Sequence, residues 1–137
     1  MRIATLIVSL ILFACSAPAG GKVEWGPELF RAQHTLEFLT VGPEEGEHWS
    51  TVWVVVVDDQ PYLRLGSPAA NRMKKNTTAP LVKIRIAGRE FDHVRAEPAP
   101  EVAARVHAAM AEKYWSDIFV RFMSHPLTIR LVPEAPK

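Results

Sequence analysis

Ser50-Thr51-Val52-Trp53-Val54-Val55-Val56-Val57 is the strongest indicator of structure in this 137-residue sequence. β-Branched residues dominate the segment and favour extended backbone, and its last four residues are apolar on both faces of a strand. The next four residues, Asp58-Asp59-Gln60-Pro61, are typical of a turn, and Tyr62–Leu65 then predicts a returning strand. The sequence therefore predicts a β-hairpin whose first strand is buried on both faces.

The rest of the chain predicts more strands than helices. Alternating apolar residues predict further strands at Thr35–Val41, Leu81–Ile86, Arg89–Ala96 and Leu127–Val132. Shorter elements are a helical turn in Trp25–Arg31, a turn at Gly42–Gly46, and a loop with at most one helical turn at Gly66–Thr78. Apolar steps of three and four predict an amphipathic helix over Pro100–Trp115, which Asp117–Met123 extends or follows. The predicted class is mainly β with helices (α+β).

The first residues have the features of a bacterial lipoprotein signal. Arg2 precedes the apolar run Ile3–Phe13, which is too short to span a bilayer as a mature helix. Leu12, Ala14 and Cys15, the only cysteine, then fit the pattern in which the thiol accepts lipid. We expect residues 1–14 to be a signal peptide, 15–22 a lipidated tether and 23–137 one domain. The alternative is ordinary cleavage after Ala17-Pro18-Ala19.

Composition limits the classes of partner. Sixteen Lys and Arg face fifteen Asp and Glu, and removal of Arg2 leaves zero formal charge, so there is no electrostatic case for nucleic acid. A single cysteine excludes an intramolecular disulfide. None of the five histidines has metal-ligand spacing, so we predict no metal site, and we interpret His107 and His125 as surface and loop residues. The expected location is the extracytoplasmic, periplasmic face of the cell envelope.

Four segments in order carry a resemblance to a known family: Thr51–Asp59, Tyr62–Ser67, Arg72–Thr77 and Val82–Gly88. The chain from about Thr35 to Val132 resembles the split β-barrel family of flavin-binding oxidases. That family includes pyridoxamine 5'-phosphate oxidase, the deazaflavin-dependent nitroreductases and a group of bacterial proteins of unknown function. The resemblance implies an FMN-binding-like split β-barrel.

In that family two subunits pack barrel to barrel and the flavin lies across their interface, so the resemblance implies a homodimer. It also implies that strand residues carry the isoalloxazine ring while basic and hydroxyl groups hold the phosphate. The matching positions, and hence the predicted cofactor-binding residues, are Thr51, Trp53, Arg64, Ser67, Arg72, Lys75 and Asn76. Arginine suits this role because its planar donors meet two phosphate oxygens at once.

Two functions from different classes stay open. The first is an envelope-tethered FMN-binding domain, acting as a flavin-type oxidoreductase; a location outside the cytoplasm favours FMN over deazaflavin. The second is a cofactor-free split-barrel lipoprotein that serves as an envelope binding or interaction module, which the acidic turn Glu44–Glu47 favours. FMN and no cofactor remain equal alternatives on the sequence. Basic loop residues that splay into solvent, together with a Trp53 fully buried away from any cleft, would favour the second.

The lipidation hypothesis predicts the outcome of a single substitution. Cys15→Ser removes the only thiol, so the precursor should lose labelling by radioactive or clickable fatty acid and stay uncleaved by the lipoprotein peptidase. Labelling and gel mobility of the two proteins in the same bacterial host provide the measurement. Retained labelling of the variant would contradict the assignment.

Overall fold

The computed structural model describes residues 24–114 and 125–134, and in them six strands form one closed barrel. The strands are β1 Thr35–Gly42, β2 Gly46–Val57, β3 Gln60–Leu65, β4 Leu81–Ile86, β5 Arg89–Pro98 and β6 Leu127–Pro133. They follow each other around the barrel in the order β1-β2-β3-β6-β5-β4, and β1 pairs with β4 to close it. Every neighbouring pair is antiparallel. All six predicted strands and the mainly β class are confirmed.

One helix precedes the first strand and two lie between strands in the described residues. They are α1 Pro27–Arg31, α2 Ser67–Lys74 and α3 Ala103–Lys113, and a 3-10 turn at Pro100–Val102 precedes α3. The prediction of a loop with at most one helical turn at Gly66–Thr78 is wrong, because α2 makes two turns with Pro68 near its start. None of the described helices is long and apolar enough to cross a membrane. Cys15, Trp115 and the predicted segment 117–123 lie outside the described residues.

The barrel interior is one apolar cluster. Alternate residues of each strand point inward, so β1 contributes Leu36 and Phe38, both at most 2% exposed. β2, β3, β4 and β6 add residues of the same kind, namely Val54, Leu63, Leu65, Ile84, Ile129 and Leu131. Phe30 of α1 closes this cluster from outside the sheet. The cluster determines which side chains of every strand face outward.

The outer face of β2 and β3 is buried by α3. Val55 and Val57 alternate with the inward Val54 and pack with Val106 and Met110 of α3 in a second apolar cluster. The prediction that the valine-rich strand is buried on both faces is therefore confirmed. This second cluster holds α3 against the barrel.

The β2–β3 connection is a two-residue hairpin turn. Asp58 and Asp59 have φ of 50° and 61°, the left-handed values of a type I′ turn, which aspartate tolerates. Their carboxylates also meet two helices: Arg105 of α3 lies 2.7 Å from Asp58, and Arg31 of α1 lies 2.7 Å from Asp59. These pairs are exposed and contribute little individually, but they join the turn to both helices.

Truncation inside the barrel should be costly. Phe38→Ala leaves a cavity in the closed interior, so the free energy of unfolding should fall by about 3–5 kcal/mol. The neighbouring Glu37→Ala, on the outer face beside Arg85, should change it by less than about 1 kcal/mol. Urea denaturation followed by tryptophan fluorescence measures both. Equal losses in the two variants would contradict the assigned inward and outward faces.

Candidate functional site

Three of the predicted cofactor-binding residues meet in one cleft beside β2, at the edge of α3. The cleft has a volume of about 260 Å³ and is lined by Thr35, Thr51, Val52, Trp53, Arg64, Gly66, Met110 and His125. We call it the β2–α3 cleft. Thr51 and Trp53 reach it from the outer face of β2, and Arg64 reaches it from β3. Trp53 is therefore not buried away from a cleft.

Trp53 is held by an aromatic partner at the end of α3. Its ring stacks on that of Tyr114, with centroids 4.5 Å apart and planes 9° from parallel. The Tyr114 hydroxyl lies 2.5 Å from the His34 carbonyl oxygen and 2.6 Å from that of Val54, and its single proton can be donated to either. Burial raises the pKa of the Tyr114 phenol to about 12.

Lys113 fastens the same end of α3 to the barrel. Its ammonium donates to the carbonyl oxygens of Phe30, Gln33 and Val54 at 3.2, 2.6 and 2.9 Å. Three acceptors match the three protons of an ammonium group. Burial lowers the pKa of Lys113. Lys113 and Tyr114 together fix where α3 ends, and with it the plane of the Trp53 ring.

Arg64 brings a buried positive charge to the other side of the cleft. It alternates with the inward Leu63 and Leu65, so it points to the outer face of β3, and it is 6% exposed. Its Nη1 lies 2.9 Å from Nδ1 of His107 on α3. The His107 ring in turn contacts His125, with centroids 6.3 Å apart. A buried guanidinium needs such partners, since desolvation of an unpaired charge is costly.

The other basic residues of the predicted cradle lie elsewhere. Arg72 and Lys75 line a second cleft of about 540 Å³ between α2 and the β1–β2 turn, which we call the α2 cleft. Arg72 Nε lies 3.2 Å from Oε1 of Glu45 in that turn, so an acidic neighbour offsets its charge. Ser67 begins α2 and is exposed. Three of the predicted residues thus line the β2–α3 cleft and two line the α2 cleft, while Ser67 and Asn76 line neither.

Asn76 supports the chain between α2 and β4. It is 6% exposed, and its Oδ1 accepts from the Val41 N–H at 3.0 Å and from the Thr78 hydroxyl at 3.0 Å. Its amide nitrogen donates to the Leu81 carbonyl at 3.1 Å. These bonds occupy the amide within the fold, so Asn76 holds the α2 connection in place.

Sequence reasoning missed the contribution of α3 to the site. We interpreted His107 as a surface residue, but it is half-buried and bonded to Arg64, which corrects that interpretation. His107, Met110 and Tyr114 occur at helical steps of three and four, which is the signal that could have grouped them. In the described ranges no three His, Cys, Asp or Glu side chains are grouped to hold a metal ion.

Comparison with known proteins identifies the fold. No protein-family model matches the sequence, and the search of curated proteins found no match. HutZ, the heme storage protein from Vibrio cholerae, is similar with a TM-score of 0.58 at 20% identity, over 80% of this chain and 88% of its own. A Listeria innocua protein provisionally named pyridoxamine 5'-phosphate oxidase has a TM-score of 0.51 at 14% identity, over 79% and 90%. A FAD-binding protein from Mesorhizobium loti has a TM-score of 0.50 at 12% identity, over 79% and 84%.

The chain is therefore a split β-barrel protein, and the fold that the sequence resemblance implied is confirmed. Its solved structural neighbours include proteins whose names mention heme and FAD. Identities this low show a common fold only. The ligand of this chain has to be inferred from its own residues.

Because its hydroxyl is buried, Tyr114 should ionise at a higher pH than an ordinary tyrosine. The difference between tyrosinate absorbance of wild type and of Tyr114→Phe should show a midpoint at about pH 12, against about 10 for an unperturbed phenol. Because the fold favours the neutral phenol, its contribution to stability is complete below about pH 10 and is lost as the pH rises towards 12. A difference midpoint near 10 in the folded protein would contradict the buried hydroxyl.

Proposed function

We propose that this protein binds FMN, or a similar planar cofactor with a phosphate, in the β2–α3 cleft, and that the bound flavin supplies an oxidoreductase function. The observation that carries the proposal is the meeting of a supported aromatic ring, Trp53, and a buried guanidinium, Arg64, in one cleft. The first suits a flat ring system and the second suits a phosphate.

The ring end of the cleft is rigid. Trp53 stacks on Tyr114, and the two hydroxyl contacts of Tyr114 restrict rotation of that lower ring. An isoalloxazine ring placed against Trp53 would extend an existing stack, and an offset between the two rings would give the stacked geometry that aromatic rings prefer. The hydroxyl of Thr51, exposed on the same face of β2, lies at the rim and can bond to polar edges of the ring.

Arg64 suits the phosphate better than the α2 residues do. A phosphate gains most from charge-assisted donors in a site shielded from water, and Arg64 is almost completely buried. Arg72 is more exposed, so water would screen its interaction with a phosphate. We therefore place the phosphate at Arg64 and leave the α2 cleft outside the proposed site. The hydride chemistry would be that of the flavin, with the protein supplying binding and orientation.

The size of the cleft favours a dimer. Its volume of about 260 Å³ lies below the roughly 300–1,000 Å³ of ordinary small-molecule sites. The described part of a single chain therefore encloses only a portion of a flavin. We propose that a second copy covers the remainder, as the sequence resemblance implies. We also keep the proposal that Cys15 is lipidated and tethers the domain to the periplasmic face of the envelope.

One observation favours the cofactor-free alternative. Arg72 and Asn76, two residues of the predicted cradle, are engaged with Glu45 and with the α2–β4 connection. A barrel that uses these groups for its own structure could serve as an envelope binding or interaction module. In that case Trp53 and Arg64 would contact a protein or peptide.

Flavin titration separates the two functions. Full-length protein in detergent should quench FMN fluorescence at micromolar concentration. Arg64→Met should weaken FMN binding at least about tenfold, since a charge-assisted bond contributes about 1.5–3 kcal/mol. The affinity for riboflavin, which lacks the phosphate, should change little. Trp53→Leu should weaken the binding of both flavins by a similar factor.

Arg72→Met is the matched control and should leave both affinities unchanged. Wild-type protein that quenches neither flavin would contradict the proposal and leave the interaction module. A hemin complex with a shifted Soret band but no flavin quenching would also contradict it.

A further inference from the structure

His107 is the residue of α3 that contacts the buried guanidinium of Arg64. The Nη1 group of arginine only donates, so the 2.9 Å contact requires Nδ1 of His107 to be the acceptor. The imidazole is then neutral, with its proton on Nε2. The two residues are 43 positions apart in sequence, and only the packing of α3 on β3 brings them together.

The backbone of His107 is well fixed. The neighbouring Val106 and the following Met110 are both fully buried in the second apolar cluster. At the end of the same helix, Lys113 and Tyr114 bond to the barrel. The imidazole therefore projects from a rigid element, and a rigid acceptor restricts the rotamers of a long arginine side chain.

We propose that His107 is a positioning residue for Arg64: by accepting from Nη1, it fixes the plane of the guanidinium at the wall of the β2–α3 cleft. The ligand group concerned is an anion, a phosphate monoester in the case of FMN. This inference rests on the proposed function, since it assigns how Arg64 is prepared to recognise phosphate. A preoriented arginine loses less rotamer entropy on binding and so binds more tightly.

The test compares FMN with riboflavin, because their affinity ratio isolates the phosphate. His107→Phe keeps a ring of similar size without an acceptor and should reduce the ratio about tenfold. His107→Asn presents an oxygen close to the Nδ1 position and should restore most of it. In an Arg64→Met background, His107→Phe should change the ratio no further. His48→Phe, outside the cleft, is the matched control and should leave it unchanged.

An unchanged ratio in His107→Phe would overturn the inference while leaving flavin binding intact. An equal fall in the Arg64→Met background would also overturn it, since His107 would then act on the ligand independently. Thermal unfolding of each variant distinguishes loss of fold from loss of positioning.

A readout without flavin keeps the inference testable if neither flavin binds. Long-range proton–nitrogen NMR spectra should show His107 as the Nε2–H tautomer in wild type, and a mixture of tautomers in Arg64→Met. A proton on Nδ1 in wild type, or spectra that do not respond to loss of Arg64, would overturn it. Failure of flavin binding with the expected tautomer change would reject the proposed function alone.

Discussion

The carbonyl oxygen of Val54 is the point on which the candidate site depends. It accepts from Lys113 at 2.9 Å, and it is one of the two carbonyl oxygens within reach of the Tyr114 hydroxyl, at 2.6 Å. These bonds join the end of α3 to the middle of β2, while Val106 and Met110 pack the same helix against the outer face of the barrel. The position of α3 then places Tyr114 under Trp53 and His107 beside Arg64.

This attachment explains why the covered, apolar end of β2 follows directly on a stretch that lines a cleft. Along β2 the outward side chains change from Thr51 and Trp53, which line the cleft, to Val55 and Val57, which α3 covers. Among the described residues, the boundary between the cleft and the covered surface is the end of α3. A cleft formed in this way has rigid walls on two sides, because both the strand and the helix are parts of the apolar framework.

The sequence predicted the barrel well and the site only in part. Strand alternation and the valine run identify β2 directly, since the pattern records burial on each face. The sequence did not predict α2, because a polar helix with Pro68 in its first turn has the composition of a loop. Thr51, Trp53 and Arg64 could be nominated by resemblance, but the contact between Arg64 and His107 depends on tertiary packing across 43 positions. The ion pair between Arg72 and Glu45 also depends on tertiary packing and could not be predicted from the sequence.

The most direct test of the account is a crystal structure of the protein with FMN. We expect the isoalloxazine ring against Trp53, on the face away from Tyr114, and a phosphate oxygen within hydrogen-bonding distance of Arg64. A second copy should cover the rest of the ring. Flavin density in the α2 cleft, with its phosphate at Arg72 and Lys75, would contradict the assignment of the β2–α3 cleft.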